Sequence, residues 1–128
     1  MFVKAQDTVG FWWCCEASGR LKAREALPVL ARHAVATNPA GTFGRPGMAT
    51  GYIAAKALAQ IAADSKQTDV ARLLKSDNIW LRAGALRGLA EARASGVEAL
   101  LRQAAEPDNP ALVRQEARVQ LHRLRAPK

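Results

Sequence analysis

The stretch NIWLRAGALRGLAEARASGVEALLRQAAE, residues 78–106, decides the fold. Its first part carries apolar side chains at the three- and four-residue spacing of one helix face: Leu81, Ala85, Leu86 and Leu89. A break follows at Ser95 and Gly96, and a shorter apolar stripe comes after it: Val97, Leu100 and Leu101. We therefore predict two amphipathic helices joined at this Ser-Gly pair, with Asp77 capping the first one.

The same pattern occurs on both sides of this hairpin. The earlier copies stand 28 positions before the first helix and 27 before the second: Ile53, Ala57, Leu58 and Ile61, then Val70, Leu73 and Leu74. A later copy follows the first helix by 32 positions: Val113, Ala117 and Leu121. One helix pair cannot bury its own apolar face, so this periodicity predicts stacked pairs. Thr68 is expected to cap one of these helices, and Asn109 with Pro110 to begin the last.

The N-terminal part fits the repeat less closely. DTVGFWWCCEASGR, residues 7–20, predicts a first helix ended by Gly19, and AREALPVLARHAV, residues 23–35, predicts its partner. Leu30 would take the role of Leu74 and Leu101, but it precedes Leu74 by 44 positions, which is too long for one period. The surplus lies in a Pro/Gly-rich insertion loop at about 36–47. The chain is therefore expected to be a single repeat domain, 1–128, of about seven helices.

Three segments carry a resemblance to a known family: EALPVLARHA, AAKALAQIAADSKQTDVARLL and LRAGALRGLAEARASGVEALLRQAAE. They resemble short HEAT-like repeats of the kind found in phycobilisome-lyase-type proteins. The resemblance implies an all-α fold, a right-handed α-solenoid of stacked antiparallel helix pairs with a concave binding face. By analogy alone, it also raises a lyase-like chaperone for a bilin chromophore.

The composition supports a folded helical chain with a basic surface. Hydrophobic residues make up 49% and aromatic residues 5% of the chain, a balance that favours helix over strand and excludes a disordered chain. The formal net charge of +8 favours polyanions and acidic proteins as partners. No apolar run reaches the ~20 residues of a membrane span, and no secretory signal is recognised at the start, so we expect a cytoplasmic protein.

The stretch FWWCC, from Phe11 to Cys15, departs from the repeat because its apolar side chains point all round a helix. Two interpretations stay open. The rings could close the core of the first pair, or they could form a surface for a partner or for a homo-oligomer, with Trp12 as a contact. A metal site is not expected, because only His33 and His122 are available as imidazoles, on distant helices. We expect Cys14 and Cys15 to be buried structural cysteines.

The loop TNPAGTFGRPGMATG, residues 37–51, holds several glycines before a helix. Such glycines can offer backbone N–H groups to an anion, but the Gly-Lys-Ser/Thr of a phosphate loop is absent. We interpret it as a connecting loop whose tip, Phe43 and Arg45, contacts a partner.

Basic side chains share one face of the last helix: Arg114, Arg118, His122 and Arg125. Earlier helices add further cations: Lys56, Lys75, Arg82, Arg87 and Arg93. Arg82 and Arg114 hold equivalent repeat positions and would lie on one side of the stack. This charge is either a solvated polar cap or a nucleic-acid face.

No catalytic site or cofactor is predicted, since no acid–base pair and no nucleophile–histidine arrangement follows from the spacing. The sequence favours a non-catalytic binding or scaffold module that binds another protein through the concave face or the aromatic N-terminal helix. The expected contacts are Trp12, Phe43, Arg45, Trp80, Arg82, Arg114 and Arg118. The alternative is nucleic-acid binding through the arginines. A minor variant of it resembles HEAT-like DNA glycosylases, for which Trp80 and Asp77 are the only suggestive residues.

Overall fold

The computed structural model describes residues 8–33 and 50–125, and these ranges contain seven α-helices and no strand. The helices are α1 Thr8–Arg20, α2 Leu27–His33, α3 Thr50–Ala62, α4 Thr68–Leu74, α5 Ile79–Glu91, α6 Val97–Ala104 and α7 Ala111–Arg125. A single 3-10 turn, Arg24–Ala26, leads into α2. The prediction of an all-α chain with about seven helices is confirmed for this part of the chain. The insertion loop expected at about 36–47 lies outside the described residues.

The longer helices pack on one another in chain order. Helix α1 packs on α3, α3 on α5 and α5 on α7. Gly84 of α5 lies against Tyr52 of α3, and Gly88, one turn later, lies against Lys56. Residue numbers rise together along both helices, so α3 and α5 run parallel. The short helices run back between them: α4 contacts α3 and α5, and α6 contacts α5 and α7.

The positions matched by the repeat spacing are buried together. Ala57, Ala85 and Ala117 are each at most 2% exposed. The larger counterparts one turn earlier are also buried: Ile53, Leu81 and Val113. Small alanines beside larger aliphatic side chains let neighbouring helices approach while still filling the core. The sequence periodicity therefore identified core-facing positions on α3, α5 and α7.

Two glycines of α5 allow its backbone to lie directly against that of α3. A Cβ atom on Gly88 would clash with the carbonyl oxygen of Lys56 and would lie 2.9 Å from both the Cβ atom of Ala59 and the backbone nitrogen of Gln60. A Cβ atom on Gly84 would clash with the carbonyl oxygen of Tyr52. The segment GALRG, residues 84–88, thus places two glycines one turn apart on the surface of α5 that meets the backbone of α3.

A buried lysine joins three of the long helices. The Lys56 residue on α3 is 5% exposed, and its ammonium group donates to Glu16 Oε1 of α1. The same nitrogen lies 3.6 Å from Glu91 Oε1 of α5. Glu91 also accepts a 3.0 Å hydrogen bond from Arg87 Nε. The assignment of Lys56 and Arg87 to a free basic surface was therefore wrong, because both side chains are used within the fold.

Two predicted helix caps are displaced by one residue. Asn78, not Asp77, precedes α5 and accepts from the Trp80 N–H at 3.0 Å. Gln67, not Thr68, precedes α4 and accepts from the Val70 N–H at 3.0 Å. Neighbouring polar side chains compete for the same helix end, and their order in the sequence does not decide which one reaches it.

Candidate functional site

A groove of about 760 Å³ lies between α4 and α6, over α5. It is formed where the two short helices stand side by side on the longer helix. Residues from α4, α5, α6 and the α6–α7 turn line it: Ala71, Leu74, Lys75, Arg82, Leu86, Leu100, Gln103, Ala104, Glu106, Asp108 and Asn109, with Ser65, Lys66 and Val113 completing it. Its volume is in the range of binding pockets for small molecules and peptide side chains.

The bottom of the groove is apolar. Leu86 and Val113 line it but are only 4% and 1% exposed, so the apolar surface that a partner could cover comes mainly from the walls. Leu74 on α4 and Leu100 on α6 pack partly buried on the same core from opposite sides. An apolar side chain of a partner that enters this concave surface would be buried away from water, which favours binding.

The rim of the groove carries uncompensated charge of both signs. Lys66 and Lys75 lie at the two ends of α4, and Glu106 and Asp108 lie in the turn after α6. Within the described residues, none of these four side chains has an ion-pair partner within 4.0 Å. The cationic wall and the anionic wall therefore do not neutralise each other.

Among the predicted contacts whose side chains the structure describes, Arg82 alone lines this groove. Its guanidinium donates at 3.0 Å to Asn109 Oδ1, and Asn109 Nδ2 donates at 3.0 Å to the carbonyl of Gln103. Asn109 was expected to cap α7, but it instead connects α5 to the end of α6. Because the Asn109 amide is neutral, this hydrogen bond orients the guanidinium without neutralising its positive charge.

The other predicted contacts lie elsewhere. Trp80 packs edge-on against Tyr52, with ring centroids 6.4 Å apart and an interplanar angle of 87°, and it does not line the groove. Arg114 is partly buried, and its Nε has no hydrogen-bond partner within the described ranges. Arg118 is exposed on α7. Phe43, Arg45 and the side chain of Trp12 lie outside what the structure describes.

The N-terminal helix presents part of its apolar stretch to solvent. Trp13 is 62% exposed, and Leu21, just after the helix, is 78% exposed. Cys15 is fully buried, and this burial raises the pKa of its thiol to about 12, with Cys14 and Glu16 adding to the rise. A protonated buried thiol is inert, and the predicted burial is confirmed for Cys15 but not for Cys14, which is only half-buried. The self-association of this helix stays a prediction.

The basic stripe of α7 faces solvent. Arg118, His122 and Arg125 are exposed, while Val113 and Ala117 on the other side of the helix are buried. None of these three basic side chains is ion-paired with a described carboxylate. The predicted solvent-facing side of this helix is confirmed for these three residues, whereas Arg114, the fourth predicted member, is partly buried.

Sequence reasoning missed the groove itself. Leu74 and Leu100 were assigned to the stripes of the short helices, and Leu86 to the core, without a signal that a gap separates α4 from α6. The described ranges contain no group of three or more His, Cys, Asp or Glu residues that could hold a metal ion. Within the same ranges, every helix is too short or too polar to cross a membrane.

Comparison with known proteins gives no assignment. Neither a protein-family model, nor a curated protein, nor a solved structure matches this chain.

Proposed function

We propose that this chain is a non-catalytic binding module that takes a segment of another protein into the groove between α4 and α6. The observation that carries the proposal is the combination, in one concavity, of two partly buried leucines, Leu74 and Leu100, with an oriented arginine. Arginine is enriched among the energetically important positions of protein interfaces, which lie in well-packed pockets from which water is excluded.

We further propose that the helices form a HEAT-like α-solenoid. Long helices that pack in chain order, short helices that return between them, and alanines buried at equivalent positions are what a stack of helix pairs requires. We place the short helices on the concave side of this stack, because the concave side is the usual binding face of such proteins. The groove opens between two of these short helices, where a partner would be expected.

A groove variant and a matched control test the proposal. Leu100 lines the groove, and Ala99, its neighbour on α6, is exposed and does not. Peptides selected from a random display library against the protein are measured by fluorescence anisotropy on Leu100→Glu and Ala99→Glu. We expect Leu100→Glu to weaken binding at least about tenfold, ~1.4 kcal/mol, and Ala99→Glu to leave it unchanged. Equal loss in both variants, or no loss in either, would contradict the groove as the site.

The exposed stripe on α7 favours a second candidate, nucleic-acid binding. Arg118 and Arg125 carry charge that no described carboxylate neutralises. Anisotropy titrations with duplex and single-stranded DNA at two salt concentrations test it, because affinity for phosphates falls steeply with salt. The double variant Arg118→Glu/Arg125→Glu should abolish such binding. Absence of binding by the unmodified protein at low salt excludes this candidate.

A further inference from the structure

We propose that the segment bound in the groove is an amphipathic helix of about two turns. Its apolar ridge would lie on the bottom of the groove, its acidic flank along α4 and its basic flank along the α6–α7 turn. This inference rests on the proposed function and deepens it, because it states the chemistry of the partner. The form of the partner follows from the walls of the groove, and its charge follows from the rim.

A helix fits these walls better than an extended strand. Both walls are helices, α4 and α6, whose backbone groups are hydrogen-bonded within the helix, and strand addition needs an open sheet edge. An extended peptide here would leave its own backbone polar groups without protein partners. A bound helix satisfies its backbone internally and needs only side-chain contacts from the groove.

The length of the walls sets the length of the bound helix. Helix α4 has 7 residues and α6 has 8 residues. At about 1.5 Å per residue each wall is roughly 10–12 Å long, or about two turns. Two turns present an apolar ridge of three or four side chains at i, i+3, i+4 and i+7. Leu74, Leu86 and Leu100 offer a matching apolar surface on both walls and at the bottom.

The rim sets the charge of the two flanks. Lys66 and Lys75 stand at the two ends of α4. Arg82 is held by Asn109 of the α6–α7 turn and does not belong to this cationic wall. Glu106 and Asp108 follow the end of α6. The two walls carry opposite charges that do not pair with each other. They are complementary to a ligand with negative side chains facing α4 and positive side chains facing the α6–α7 turn. Such complementarity gives orientation and specificity more than raw affinity.

Charge reversal on one wall tests the flanks. The probe is a synthetic helical peptide with a leucine ridge, glutamates on one flank and lysines on the other. We expect Lys66→Glu/Lys75→Glu to weaken its binding about tenfold, and a second peptide with lysines on both flanks to restore it on that variant. Arg125→Glu, a charge reversal on α7 outside the groove, is the control and should leave both affinities unchanged.

A proline substitution tests the helical form. Proline at the centre of the probe peptide, away from the ridge, should weaken binding more than about tenfold, whereas alanine there should not, because proline breaks the helix. Tolerance of proline, or indifference to the charge of α4, would overturn this inference. If peptide binding still responds to Leu100→Glu but not to Ala99→Glu, the proposed function survives that failure. If neither variant changes peptide binding, the groove itself is rejected.

Discussion

The phenol of Tyr52 on α3 donates a 2.8 Å hydrogen bond to Glu116 Oε1 on α7, although α5 packs against both helices. Arg87 of α5 donates to the same phenol oxygen at 3.1 Å, and Gln120 Nε2 holds the other carboxylate oxygen at 2.8 Å. Gly84 takes the repeat position in α5 that Glu116 takes in α7, and it has no side chain. Three consecutive long helices are therefore joined by one polar network, which fixes their relative positions.

Removing the Tyr52 hydroxyl should destabilise the fold without disturbing its packing. We expect Tyr52→Phe to lower the free energy of unfolding by about 1–2 kcal/mol, because Glu116 loses a partly buried donor. The ring remains to pack on Trp80. Urea denaturation followed by circular dichroism measures the change. Stability equal to that of the unmodified protein would contradict a role for this hydrogen bond.

Removing the buried ammonium group should cost more than removing a surface cation. We expect Lys56→Met to reduce stability by about 2–3 kcal/mol, because Glu16 and Glu91 are left facing each other without their shared partner. The matched control is Arg102→Met, since Arg102 is 60% exposed and its pair with Glu98 on α6 should contribute less than about 0.5 kcal/mol. Equal effects of the two substitutions in the same denaturation assay would show that the burial of Lys56 is unimportant.

The close approach of α3 and α5 predicts intolerance at Gly88. Gly88→Ala should cost about 1–3 kcal/mol despite the better helix propensity of alanine, because the added atom meets backbone atoms of α3. The larger side chain of Gly88→Leu should keep the chain from folding, so that no cooperative unfolding transition is observed. Ala99→Leu, the same enlargement at an exposed helix position, is the control and should shift stability by less than about 0.5 kcal/mol. A folded Gly88→Leu variant of normal stability would contradict this packing.

The buried thiol predicts a loss of stability at high pH. The pKa of Cys15 rises from 9.0 to about 12 in the folded chain, so the unfolded chain loses its proton first as the pH increases. Below pH 9 the thiol is protonated in both states and the free energy of unfolding is not reduced. Between the two pKa values the free energy of unfolding falls by up to about 1.4 kcal/mol per pH unit. Burial also raises the pKa of Tyr52, which acts in the same direction.

Comparison of two variants isolates the thiol. Denaturation at about pH 8 and about pH 10.5 should show a stability decrease that is about 2 kcal/mol smaller in Cys15→Ala than in the unmodified protein. Cys14→Ala, at the adjacent and less buried cysteine, should keep the larger decrease. The same decrease in all three proteins would mean that Cys15 ionises normally in the fold.

The repeat arithmetic predicted the core because burial follows spacing along a helix. Ala57, Ala85 and Ala117 were found from their offsets alone, and all three are buried. Single-residue choices were harder to predict. The caps moved by one residue, to Gln67 and Asn78, because several polar side chains near a helix start can reach the same N–H groups.

Contacts between helices distant in sequence could not be predicted from periodicity. Lys56 was interpreted as a surface cation, since a pattern on one helix does not show that Glu16 lies opposite, 40 positions earlier. The groove was missed for the same reason, because it depends on the gap between α4 and α6. Arg82 was chosen for its place in the repeat, but its orientation comes from Asn109, which was expected to do something else.

The most direct measurement is a methyl NMR titration of the protein with a peptide selected from the display library. Binding between α4 and α6 predicts that the methyl groups of Leu74, Leu86, Leu100 and Val113 shift together as peptide is added. The methyl groups of Leu21 beside α1 and Val119 on α7, both exposed outside the groove, should stay in place. Shifts confined to Leu21 or Val119, with the groove methyl groups unchanged, would contradict the account.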